Sequence, residues 1–167
     1  MADDLSPTSS QRHLDRRDVL IGGGAAIAMP AAAVTARAQT ADKPAPPRKE
    51  YLAARQELLK GRTVTYARVA LTLPRISESG NSVPLSVSVV SPMTQQDHVR
   101  IIHILSEQNP YALVARFHFN PGPTRPDVDT KIRLATTQRI HAIAEMSDGR
   151  LFEGVAETVV ALAACLD

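Results

Sequence analysis

The segment Val83-Pro84-Leu85-Ser86-Val87-Ser88-Val89 alternates apolar with small or polar side chains, two residues to a period. That spacing belongs to a strand with one face in a core and the other in water, and it does not fit the 3.6-residue period of an amphipathic helix. Residues 69–73, 99–105, 113–119, 128–134, 139–146 and 151–162 are the other strand candidates, and 83–90 makes the seventh. Turn formers separate them: Pro74, a cluster at 77–82 centred on Gly80-Asn81, Ser91-Pro92, Asn109-Pro110 and Ser147-Asp148-Gly149. Seven strands at intervals of roughly 10 to 15 residues predict an all-β fold, an immunoglobulin-like antiparallel β-sandwich. The chain has one cysteine and no tryptophan, so the disulfide and core tryptophan of antibody domains are excluded. One short helix is expected before the strands. Tyr51, Leu52, Arg55, Leu58 and Leu59 recur at helical spacing within 48–60, and Gly61 supplies the stop.

The first 38 residues read as an export signal. Arg16-Arg17 stand directly before an uncharged, Ala- and Gly-rich run from Val19 to Ala36, and Ala36-Arg37-Ala38 forms a small-x-small cleavage site. Paired arginines before a weakly apolar run resemble a twin-arginine signal, and Gly22-Gly23-Gly24 with Pro30 would make a poor membrane span. The expected organisation is therefore a signal peptide at 1–38, a Pro-rich lead-in at 39–47, a helix plus sandwich at 48–162 and a tail at 163–167. The expected location is the periplasm, with no membrane association once the signal is cleaved.

Charge and motifs exclude more than they select. Lys+Arg 19 against Asp+Glu 17 gives a net charge of +2, without the basic excess of a nucleic-acid surface. There is no G-x-S-x-G, H-E-x-x-H or Gly-rich phosphate loop, and no cofactor is called for. His98, His103, His118 and His141 lie on or beside three different strands without the close spacing of metal ligands. They are read as strand-face residues, with a small metalloenzyme as the minor alternative. Asp127 with Asp129, and Arg139 with His141, each share a strand face and are read as solvated polar faces. No catalytic residue is assigned.

Cys165 stands apart by position. It falls three residues after the expected end of the last strand, a reach of roughly 10 Å. A lone thiol in an exported, oxidising setting is expected to pair with another chain or to carry a modification. Its ordinary pKa near 8.5 leaves only a few per cent as thiolate at neutral pH, and the neighbouring Asp167 disfavours that form. Activation must then come from a partner that accepts the tail, which describes a carrier and not a catalyst.

Several segments together resemble the SoxY family, the sulfur-carrier subunits of thiosulfate oxidation. They are Gly80-Asn81-Ser82-Val83-Pro84-Leu85, Ser91-Pro92-Met93-Thr94, Asn109-Pro110, Phe117-His118-Phe119-Asn120-Pro121, Thr130 to Ala135 with Thr137-Gln138, and Ala144 to Gly149. The resemblance implies an immunoglobulin-like sandwich paired with a SoxZ-like subunit as a heterodimer. It makes Cys165 the covalent sulfur attachment site, on which a c-type cytochrome couples thiosulfate. A hydrolase then releases sulfate, and a molybdenum–haem sulfane dehydrogenase oxidises what remains. The family's tail reads Gly-Gly-Cys-Gly-Gly, whereas this one reads Ala163-Ala164-Cys165-Leu166-Asp167, with fewer backbone choices and more bulk beside the thiol. The alternative function is a SoxY-like binding or assembly module without carrier chemistry.

Overall fold

The alternation of β4 (Val83–Val89) is reproduced residue for residue: Val83, Leu85, Val87 and Val89 are buried, while Pro84, Ser86 and Ser88 are exposed. The computed structural model describes residues 44–164; the expected signal at 1–38 and the tail residues 165–167, with Cys165, lie outside them. β4 is the middle of a three-stranded antiparallel sheet, between β2 (Val69–Thr72) and β7 (Asp127–Ile132). Pro84 lies beyond the end of β2, where β4 has a neighbour on one side only, and there a strand tolerates a residue without an N–H. On the wet face Ser86 and Ser88 donate to Asp129 and Asp127 across the register, at 2.5 and 2.7 Å. The reading of Asp127 and Asp129 as exposed holds.

The second sheet runs β1 (Val64–Thr65), β9 (Leu151–Leu162), β8 (Gln138–Met146), β5 (Val99–Ser106) and β6 (Leu113–His118), with β3 (Ile76–Ser79) also on β9. Its inner face brings Ile102, Ile104, Ile140, Ala142, Ala144 and Met146 against β4 to form the main core. The all-β sandwich is as expected, but three details differ. There are nine strands among the described residues, not seven. The pairing is not purely antiparallel, because β1 and β3 both run parallel to β9. Ser77–Ser79, expected within a turn, belong to β3.

The length of β9 explains these differences. β8 covers only 151–158 along one of its edges. Val160 N–H bonds the Thr137 hydroxyl on the β8 side, whereas Val159 N–H bonds Arg75 O, so β3 lies on the opposite edge with β1. Between those two short strands the chain crosses to the other sheet as β2. At the crossing the Val69 carbonyl lies 2.7 Å from where a Cβ on residue 154 would stand, and only Gly154 permits that approach.

Helix α1 (Lys49–Leu59) covers the outer face of the larger sheet. Tyr51, Ala54, Leu58 and Leu59 pack on Leu105, Ala112, Ile143 and Leu151 in a second core. The helix ends as expected, one residue earlier in its cap: Lys60 takes the left-handed conformation (φ 47°) and Gly61 follows with φ 79°. β8 is thereby covered on both faces.

Candidate functional site

The segments that carry the family resemblance are scattered in sequence, and three of them meet where β9 ends. Gly80 N–H donates to Leu162 O at 2.7 Å, Leu134 N–H donates to Gly80 O at 2.8 Å, and Ala164 N–H donates to Leu134 O at 3.2 Å. A Cβ at residue 80 would lie 2.1 Å from Leu134 O and 2.8 Å from Ala164 N, both backbone atoms that cannot yield cheaply, so the position requires glycine. Thr137 holds Val160 from the side. The last described residues of the tail are thus tied to two loops.

Those loops are fixed from beneath by a neutral polar cluster. Asn109 donates to Arg133 O (2.9 Å) and accepts from Ala135 N–H (3.0 Å), gripping both neighbours of Leu134. Gln138 donates to Asn109 Oδ1 and accepts from the Ser106 hydroxyl and Gln108 N–H. Ser106, Asn109 and Gln138 are all buried. A buried amide or hydroxyl is tolerated only with its hydrogen bonds made, and a cluster so connected holds its loops in one arrangement.

One expectation is corrected here. The chain does not run free from Leu162, because Ala164 is buried (7% exposed) and hydrogen-bonded. The anchored backbone reaches Ala164, the residue before Cys165, and consecutive Cα atoms are about 3.8 Å apart. The alanine that departs from the family's glycine buries its methyl at this anchor. Cys165 itself, the one residue assigned from the sequence, lies outside the described residues.

A second polar cluster, which the sequence reading missed, lies under α1. His141 sits between two carboxylates, with Nδ1 2.7 Å from Glu153 Oε1 and Nε2 3.0 Å from Glu107 Oε1. Arg55 donates both guanidinium ends to Glu153 at 2.5 and 2.7 Å, and Arg139 donates to Glu107 at 3.0 Å. Burial alone would raise the Glu153 pKa, but the bonds and charges of Arg55 and His141 outweigh it and hold the group at about 2. Burial pushes Tyr51, whose ring lies tilted with its centroid 5.0 Å from that of His141, up to about 12 against the opposing charge of Arg55. His141 is therefore buried in an ion network and not on the solvated face expected, while Arg139, paired with the buried Glu107, keeps its side chain 43% exposed. A strand face covered by a helix reads like one in water, because its polar residues are the same types. The signal available was the carboxylate and arginine complement on α1 and β9, at positions only the fold brings together.

The four histidines are not gathered. His98 Nδ1 lies 3.0 Å from Thr94 O before β5, while His103, His118 and His141 stand on β5, β6 and β8. Among the described residues no group of three or more His, Cys, Asp or Glu is arranged to hold a metal ion.

The fold and site define a β-sandwich whose last strand runs into a backbone anchor at Ala164. The chain belongs to the SoxY family: the family model described as sulfur oxidation protein SoxY matches residues 55–165. Among solved structures it is similar to the sulfur carrier protein SoxY from Chlorobium limicola f thiosulfatophilum, at 23% identity and a TM-score of 0.56, over 66% of this chain and 96% of that one. It is also similar to a superoxide reductase (neelaredoxin) from Ignicoccus hospitalis, at 23% identity and a TM-score of 0.50, over 56% and 80%. These are likenesses of fold. No curated protein matches the chain.

Proposed function

We propose that this SoxY-family protein is a periplasmic sulfur carrier that holds its cargo covalently on Cys165. The observation that carries the reading is that the family match runs to Cys165 itself, directly after the anchored Ala164. On this reading the Cys165 thiol and thiosulfate join through a new sulfur–sulfur bond, losing one proton and two electrons to a c-type cytochrome. Water then cleaves the terminal sulfonate as sulfate and leaves a persulfide on the cysteine, which a sulfane dehydrogenase oxidises further. The protein supplies no acid, base or metal to these steps; it supplies a thiol on a fixed base, and partner enzymes supply the chemistry. Export by the twin-arginine route and pairing with a SoxZ-like subunit complete the proposal.

The Ala163-Ala164-Cys165-Leu166-Asp167 tail bears on how partners reach the thiol. With Ala164 held by Leu134, a partner active site must come close to the sandwich surface around Gly80 and Leu134. The test is Cys165→Ala. This exchange should leave the melting temperature unchanged while abolishing thiosulfate-dependent electron transfer to the cytochrome. Full turnover by Cys165→Ala would leave the protein as a binding or assembly module.

A further inference from the structure

His103 is a buried side chain without a partner. Its side chain is 7% exposed and neither ring nitrogen makes a hydrogen bond; the nearest carboxylate oxygen, Glu145 Oε2, is 3.9 Å away. A buried polar group left unpaired costs about 1–3 kcal/mol, so its neighbourhood should offer something to bind. The ring lines a cleft of about 330 Å³ between the end of α1 and strands β5, β6 and β8, a size at the lower end of small-molecule sites.

The charged groups around it are Glu57, Lys60 and Arg62 from α1 and the turn after it, Arg116 from β6 and Glu145 from β8, with Leu58 and Leu105 as apolar wall. Several of these are already committed. Arg62 donates to the carbonyls of Leu58, Leu59 and Gly149, and with Arg100 it flanks Glu145 at 3.5 and 3.8 Å. Lys60 and Arg116 form no ion pair among the described residues.

We propose that this cleft binds a small oxyanion, with Arg116 and Lys60 supplying the charge at its mouth and His103 a hydrogen bond at its floor. Burial first, then the charge of Arg116, holds His103 down at about 4, so at neutral pH the ring is uncharged and offers one N–H donor. A neutral donor on the floor and exposed cations at the rim attract an anion without the cost of burying a permanent charge. The cleft shares no lining residue with the anchor at Gly80, Leu134 and Ala164, so its occupancy can be read whether or not the carrier reading stands.

The test is proton NMR of the histidine ring signals in the whole chain at pH 7, titrated with sodium sulfate and, separately, with sodium chloride at equal ionic strength. The His103 signals should move saturably with sulfate and not with chloride. Those of His141, whose ring is bonded on both sides, should stay in place. Arg116→Gln, an exposed exchange, should weaken the sulfate response about fivefold or more. Equal responses to the two salts, joint movement of both histidines, or an unchanged midpoint in Arg116→Gln would each overturn the proposal.

Discussion

Two buried polar clusters begin on adjacent residues and are made of opposite materials. Ser106 and Gln138 belong to a wholly neutral cluster beneath the tail, whereas their neighbours Glu107 and Arg139 belong to the charged cluster beneath α1. Successive residues of a strand point to opposite faces, so two pairs of neighbours serve two sides of one sheet. The neutral cluster fixes loops: each of its amides meets a backbone group, and nothing in it titrates. The charged cluster fixes a helix, since Arg55 is the member on α1 that reaches Glu153 on β9. The lesson is that the anchor at Ala164 is built on groups indifferent to pH. The helix attachment is not.

The comparison breaks most visibly at Glu153. Glu153→Ala removes the shared partner of Arg55 and His141 and leaves the largely covered Arg55 guanidinium without its carboxylate, a loss of about 3–5 kcal/mol in denaturant unfolding. The charged side also has a pH signature. Glu153 is held at about 2, below its ordinary value of 4.5, so its contribution is complete above about 4.5 and is lost as pH falls towards 2. His103, held at about 4 below an ordinary 6.5, resists a proton that the unfolded chain accepts, so stability begins to fall below about 6.5. Unfolding measured from pH 7 to pH 3 should show both phases, and the lower one should vanish in Glu153→Gln.

A smaller effect is expected on the neutral side. Asn109→Ala strands Ala135 N–H, Arg133 O and one Gln138 donor, costing about 1–3 kcal/mol. Its dependence on pH should match that of the unsubstituted protein. A steeper pH dependence in Asn109→Ala would erase the distinction between the clusters.

Much of this fold was legible in the sequence because one sheet has a wet face. β4 keeps strict alternation, and its neighbours are bounded by proline and glycine. The 147–149 turn is a hairpin as read, with Gly149 at φ 85° joining β8 to β9. What was not legible has a common cause. β3 (Ile76–Ser79) is held on β9 through its backbone, so Ser77, Glu78 and Ser79 look like turn residues. β8 is buried on both faces over most of its length, so His141 carries no sign that a helix lies over it. For the site, Gly80, Asn109 and Leu134 stood out only as fragments of a resemblance. Their shared purpose at the root of the tail depends on contacts 24 to 26 residues apart and on backbone bonds no side-chain pattern records.

The central claim, that cargo is carried covalently on Cys165, is tested most directly by the intact mass of the protein. It would be taken from cells oxidising thiosulfate and measured before and after reductant. The account predicts a mass gain that reductant removes and that fragmentation maps to Cys165. An unmodified thiol in cells that are actively oxidising thiosulfate would contradict it.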